Sequence, residues 1–130
     1  MADSIATYDY AVLRVVPRVE RGEFLNGGVI LFCRTKRFLA TLVELDRARL
    51  AALAPPGFDM DTAEEALSII PAICAGEGPI GALPQAERFH WIVAPHSTII
   101  QASPVHCGRC TDPAAALEHL LNVLVRRPGE

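Results

Sequence analysis

"YDYAVLRVVPRVERGEFLNGGVILFCRTKRFLATLVEL", residues 8–45, decides the fold. It holds three apolar runs separated by short polar breaks. The first, 8–17, is rich in valine and aromatic residues and stops at Pro17, which has no N–H to give a ladder. Strand alternation puts Tyr8, Tyr10, Val12, Arg14 and Val16 on one face, and Asp9, Ala11, Leu13 and Val15 on the other. Both faces are mostly apolar, so this is a central strand in which Arg14 is the odd residue. Residues 23–33 read as a second strand, "RTKR" (34–37) as a hairpin turn, and 38–45 as a third strand. An antiparallel meander results. The "NGG" at 26–28 falls inside the second strand and marks a bulge or a close backbone approach.

Helical spacing takes over next. Asp46 reads as the N-cap of a short helix that Pro55, Pro56 and Gly57 close. Asp61 with Glu64 forms a capping box for a second helix, with Ala63, Ala66, Leu67, Ile70, Ile73 and Cys74 on one face. Pro71 should kink that helix or end it early. Residues 76–85 read as a Gly/Pro loop, 88–95 and 97–103 as two short strands, and 104–111 as a loop. Asp112 and Pro113 then open a helix with a stripe of Leu117, Leu120, Leu121 and Leu124. The order β-β-β-α-α-β-β-α predicts one α+β domain over residues 1–130, an antiparallel sheet of about five strands with helices packed on one face.

Composition narrows the function. The net charge of −3 supplies no basic field, which argues against nucleic acid as a partner of the isolated chain. No apolar run is long enough to span a bilayer, and "MADSIATYDY" lacks the basic start and apolar stretch of a signal peptide. A cytoplasmic protein with reduced cysteines is the expectation.

Four polar constellations compete for chemistry. "HCGRC" holds Cys107 and Cys110 at zinc or redox spacing, but a second pair is missing, so no metal and no cofactor is expected. The glycines of "NGG" and "GEGPIG" lack the lysine and hydroxyl of a phosphate loop. Ser97 or Ser103 with His90, His96 or His106 lacks a nucleophile elbow. The fourth is a cluster that the sheet would assemble: Arg14, Glu23, Asn26, Ser97, Thr98, Gln101, Ser103 and His106. A central-strand arginine and a Ser-Gln-Ser row cannot be buried without partners. They either satisfy one another, or they line a groove for a polar or anionic ligand, with Arg14 as the charge and Gln101 as the orienting amide.

The stretches "YDYAVLRVVPRVERGEFLNGGVILFC" and "STIIQASPVH", with Gly108 after them, resemble a bacterial family known as domain of unknown function 3037. The similarity covers nearly the whole chain. Members of that family are often encoded beside a HipA-like Ser/Thr kinase, so the resemblance implies a partner in a toxin–antitoxin-like or regulatory context. The expected function is therefore a non-catalytic binding or regulatory module. The alternative is a small enzyme acting on an anionic or nucleotide-like substrate at Arg14, Glu23 and His106, with His106 as acid or base. An interaction module should expose an apolar groove, whereas an enzyme should hold His106 in a concave polar pocket. The third strand, if exposed, offers an edge for homodimer pairing.

Overall fold

Strands β1 (Ala6–Val15) and β2 (Leu25–Cys33) carry apolar side chains on both faces, and each face needs a cover. The computed structural model describes residues 4–96 and 98–127 and supplies two. The remaining elements are β3 (Phe38–Val43), α1 (Arg47–Leu53), α2 (Met60–Cys74), α3 (Gly78–Gly81), α4 (Gln85–Val93), β4 (Ile100–Ala102), β5 (His106–Cys110) and α5 (Pro113–Leu124). The five strands form one antiparallel sheet in the order β3-β2-β1-β4. β5 also pairs with β1, so β4 and β5 follow one another along the same side of it, at Leu13–Val15 and Ala6–Tyr10. This is the expected α+β domain, with the expected order of strand and helix blocks.

One face of the sheet presents Leu13, Val15, Ile30 and Phe32 to Leu50 of α1, Leu67 and Ile70 of α2, and Phe89 and Ile92 of α4. The rings of Phe32 and Phe89 stack with centroids 5.5 Å apart. The other face presents Val29, Leu31 and Cys33 to Leu117, Leu120 and Leu121 of α5. Each buried leucine contributes about 1.5–3 kcal/mol, enough to fix α5 there. Helices therefore lie on both faces, not on one as the sequence suggests. A strand that is apolar on both sides requires this.

The local differences have physical causes. Residues 88–93 of the expected strand 88–95 belong to helix α4, where Phe89 and Ile92, three apart, both turn into the core. A short stretch with Phe89, Trp91, Ile92 and Val93 as its apolar residues is compatible with either period, and the tertiary contact decides. Residues 106–110, expected as loop, form the edge strand β5, whose polar sequence is tolerated because one side faces solvent. The α2 cap is Asp59, not Asp61; its Oδ1 accepts from the Thr62 amide at 3.1 Å. Asp61 stands in the first turn and pairs with Arg47 at 2.6 Å. Pro71 is accommodated inside α2, which continues to Cys74. The 76–85 loop contains the single turn α3. Among the described residues no single helix is long and apolar enough to cross a membrane.

Candidate functional site

The β1–β2 register jumps between Leu13 and Arg14: Leu13 faces Gly28, but Arg14 faces Asn26. Gly27 is the extra residue of a bulge. Space explains the glycines there, since a Cβ on Gly27 would sit 3.1 Å from Leu67 Cδ2, and one on Gly28 would sit 2.8 Å from the Leu42 carbonyl. The bulge turns Asn26 onto the Arg14 side of the sheet. On the other side of β1, Arg14 pairs with Gln101 of β4. Asn26, Arg14 and Gln101 thus form one row across three strands, on the face away from α2 and α4.

The row is incompletely satisfied. Asn26 Nδ2 donates to the Leu124 carbonyl at the end of α5 at 2.9 Å, which leaves its Oδ1 buried without a partner. Arg14 Nε is likewise buried without an acceptor, and its guanidinium carbon lies 4.1 Å from the centre of the Phe24 ring. Gln101 Nε2 donates back to the Thr98 carbonyl at 2.9 Å.

The other expected members of the cluster go elsewhere. Glu23 is exposed, bonded to Arg21 at 2.6 Å, and the Arg21 guanidinium lowers its carboxyl pKa. It borders a polar hollow with Leu53 and Pro55 at the end of α1, on the opposite side of the sheet from Arg14. Ser103 is buried; its Oγ accepts from the Val12 amide at 2.8 Å and donates to the Pro104 carbonyl at 2.9 Å, bridging the step from β4 to β5. His106 pairs with Tyr10, their rings 5.5 Å apart, four residues along β1 from Arg14 and so about 13 Å away. Ser97 lies outside the described residues. Arg14, Glu23 and His106 therefore share no pocket in which an acid–base step could be shared.

The cysteine motif also separates. Cys107 and Cys110 are three apart in β5, so alternation sends them to opposite faces. Cys107 Sγ donates to Asp9 Oδ1 at 3.2 Å, and that bond raises its pKa. Burial, then the Cys33 thiol, raises that of Cys110. Neither thiol is poised as a thiolate.

A concavity lies on the α2/α4 face. It is a groove of about 350 Å³ between α2, α4 and β4. Leu13, 1% exposed, forms its floor, and Ile69 and Trp91, 57% and 45% exposed, stand on its walls. Ile69, Ile70, Ile73, Ile92, Ile99 and Ile100 line it, six of the chain's nine isoleucines. Its polar groups are His96, Thr98 and Gln101. His96 stacks beside Trp91 at 5.6 Å and contacts the Trp91 carbonyl through Nε2 at 3.2 Å, while Thr98 Oγ1 donates to the Ile100 carbonyl at 2.8 Å. Apart from His96, Thr98 and Gln101, the groove's residues were not singled out from the sequence as functional. The signals were present, in the single tryptophan and in an isoleucine pair, Ile69 and Ile70, of which only one fits a buried helical stripe.

The model of a protein family of unknown function, DUF3037, matches residues 10–125, from the Tyr10 of β1 to the residue after α5. The chain belongs to that family. The match contains both the Arg14 row and the groove. No curated protein and no solved structure matches the chain.

Proposed function

We propose that the protein is a non-catalytic binding module whose groove receives apolar side chains of a partner protein. The observation that supports this reading is the groove's composition: an isoleucine-lined trough with an exposed tryptophan and isoleucine on its walls. Exposed large apolar residues around a buried floor are how interaction surfaces differ from ordinary surface. A small polar metabolite would need free orienting groups, whereas Thr98 and Gln101 are bonded to carbonyls of their own segment. His106 lies on an open sheet face and not in this concavity.

The HipA-like kinase implied by the family resemblance is the first partner to test. Calorimetric titration of such a kinase with the purified chain should show saturable binding. Ile69→Glu and Trp91→Ala should each weaken it roughly tenfold or more. Val123→Glu, at an exposed site on α5, should leave it unchanged. Binding that ignores the first two substitutions would move the interface off the groove, and no binding would remove this partner.

A homodimer is a second reading favoured by one observation: β3 is an outer strand of the sheet. Two copies paired along Phe38–Val43 would extend the sheet across the dimer. Sedimentation equilibrium tests it, with the mass doubling as concentration rises; a constant monomer mass would exclude it.

A further inference from the structure

Among the described residues three arginines are partly buried: Arg14, Arg88 and Arg126. Two are fully engaged. Arg88 donates to the Leu83 and Cys74 carbonyls at 2.8 and 3.0 Å. Arg126 is held by Glu44 and Glu118, each at 3.2 Å. Arg14 has no carboxylate or carbonyl acceptor among the described residues, and its Nε is buried without one.

A guanidinium has five N–H donors, cannot accept, and does not give up its proton. Unmet donors on a charged, partly dehydrated group are costly. Phe24 covers one flat side of the group and satisfies none of the donors. The flanking groups in the row, Asn26 and Gln101, are neutral amides that bring no charge; their NH₂ groups donate to the Leu124 and Thr98 carbonyls, and Asn26 Oδ1 is not bonded to Arg14. The carbonyl end of α5 near Asn26 brings only a fraction of a negative charge. Arg14 as a whole is only partly buried, and its Nε is the nitrogen that is both buried and without a partner. The group thus lies against the Phe24 ring, uncompensated in charge and only partly buried.

We propose that Arg14 is an oxyanion-binding side chain, taking a carboxylate or phosphate group edge-on through its terminal N–H groups while Phe24 holds the guanidinium plane. Planar, two-pronged donation to such groups is what arginine does and lysine does not. Arg14 lies on the opposite face of the sheet from the groove; Gln101 alone borders both, and the anion test does not depend on the groove.

The test follows the side-chain Nε–H signals of the arginines by nitrogen-15 NMR. The folded protein is titrated separately with sodium acetate and sodium phosphate, with chloride holding ionic strength constant. The Arg14 signal should move saturably, while those of exposed Arg49 and Arg109 should not saturate. A saturable acetate response assigns a carboxylate ligand, and a saturable phosphate response a phosphate. Arg14→Lys, which keeps the charge and loses the fork, should weaken the fitted affinity about tenfold, read on backbone amides of the row. An Arg14 signal that saturates with neither anion, or that tracks Arg49 and Arg109, overturns the proposal. The wild-type titration decides the matter even if a variant fails to fold.

Discussion

Asn26 stands directly across the ladder from Arg14 because Gly27 is one residue too many for β2. Without that bulge Asn26 would face Val15 and point into the core. With it, the Asn26 amide reaches the Leu124 carbonyl and ties the end of α5 to the sheet. Asn26→Ala should therefore lower stability by about 1 kcal/mol. Urea unfolding should show this as a lower midpoint with an unchanged slope. An unchanged midpoint would mean that the tie contributes nothing.

Ser103 supplies what the sheet lacks between β4 and β5. Its Oγ meets the Val12 amide, which would otherwise be buried and unpaired. Ser103→Ala should cost about 1–3 kcal/mol, most of it the desolvated N–H. Loss of hydrogen-exchange protection at the Val12 amide is the direct readout, and full retention would contradict the assignment.

Tyr8 and Gly108 face each other across β1 and β5, and the phenol ring occupies the place of a side chain at Gly108. A Cβ there would come within 2.5 Å of the Tyr8 ring. Gly108→Ala should destabilise by about 1 kcal/mol in the wild type, because the ring must leave. In a Tyr8→Ala background the same change should be neutral or stabilising, since the entropic cost of glycine is removed and nothing is displaced. Additive effects in the double-mutant cycle would refute the contact.

Asp59 caps α2, and its carboxyl pKa is lowered, first by the Thr62 hydroxyl and then by the Thr62 amide. A folded pKa below the unfolded one gives stability that is complete above the unfolded value, about 3.9, and is lost as pH falls through the folded value. Asp59→Asn keeps the cap without the titration. Wild type should lose melting temperature relative to this variant below about pH 4 and match it more closely near neutrality. Parallel melting curves across that range would show that the capping bonds do not depend on the charge.

The meander, the α5 cap and the leucine stripe were legible because each rests on local chemistry: alternation, Asp112 before Pro113, and a 3-4-3 spacing. The bulge was legible in "NGG". It was enough to bring Asn26 to Arg14, and β4 alternation brought Gln101. Glu23 was misplaced because it stands just outside β2, between the turn at residues 19–21 and Leu25, where strand alternation no longer applies. Arg21 and Gly22, the latter at φ 70°, swing the chain so that the carboxylate finds Arg21 instead. Helix α4 and strand β5 were not legible, because "RFHWIV" and "HCGRC" acquire their conformations from what they pack on, Phe32 and β1. The groove was hidden for the same reason: it exists only once α4 is a helix beside α2 and β4.

The most direct test of a partner-binding groove uses its own isoleucines. Carbon-13 methyl spectra of the chain, recorded as a HipA-like kinase is added, report on Ile69, Ile70, Ile73, Ile92, Ile99 and Ile100 against Ile5, Ile30 and Ile80 elsewhere. The groove methyls should shift or broaden together at saturating partner while the other three stay fixed. Saturable binding that leaves the groove methyls unmoved would contradict the central claim.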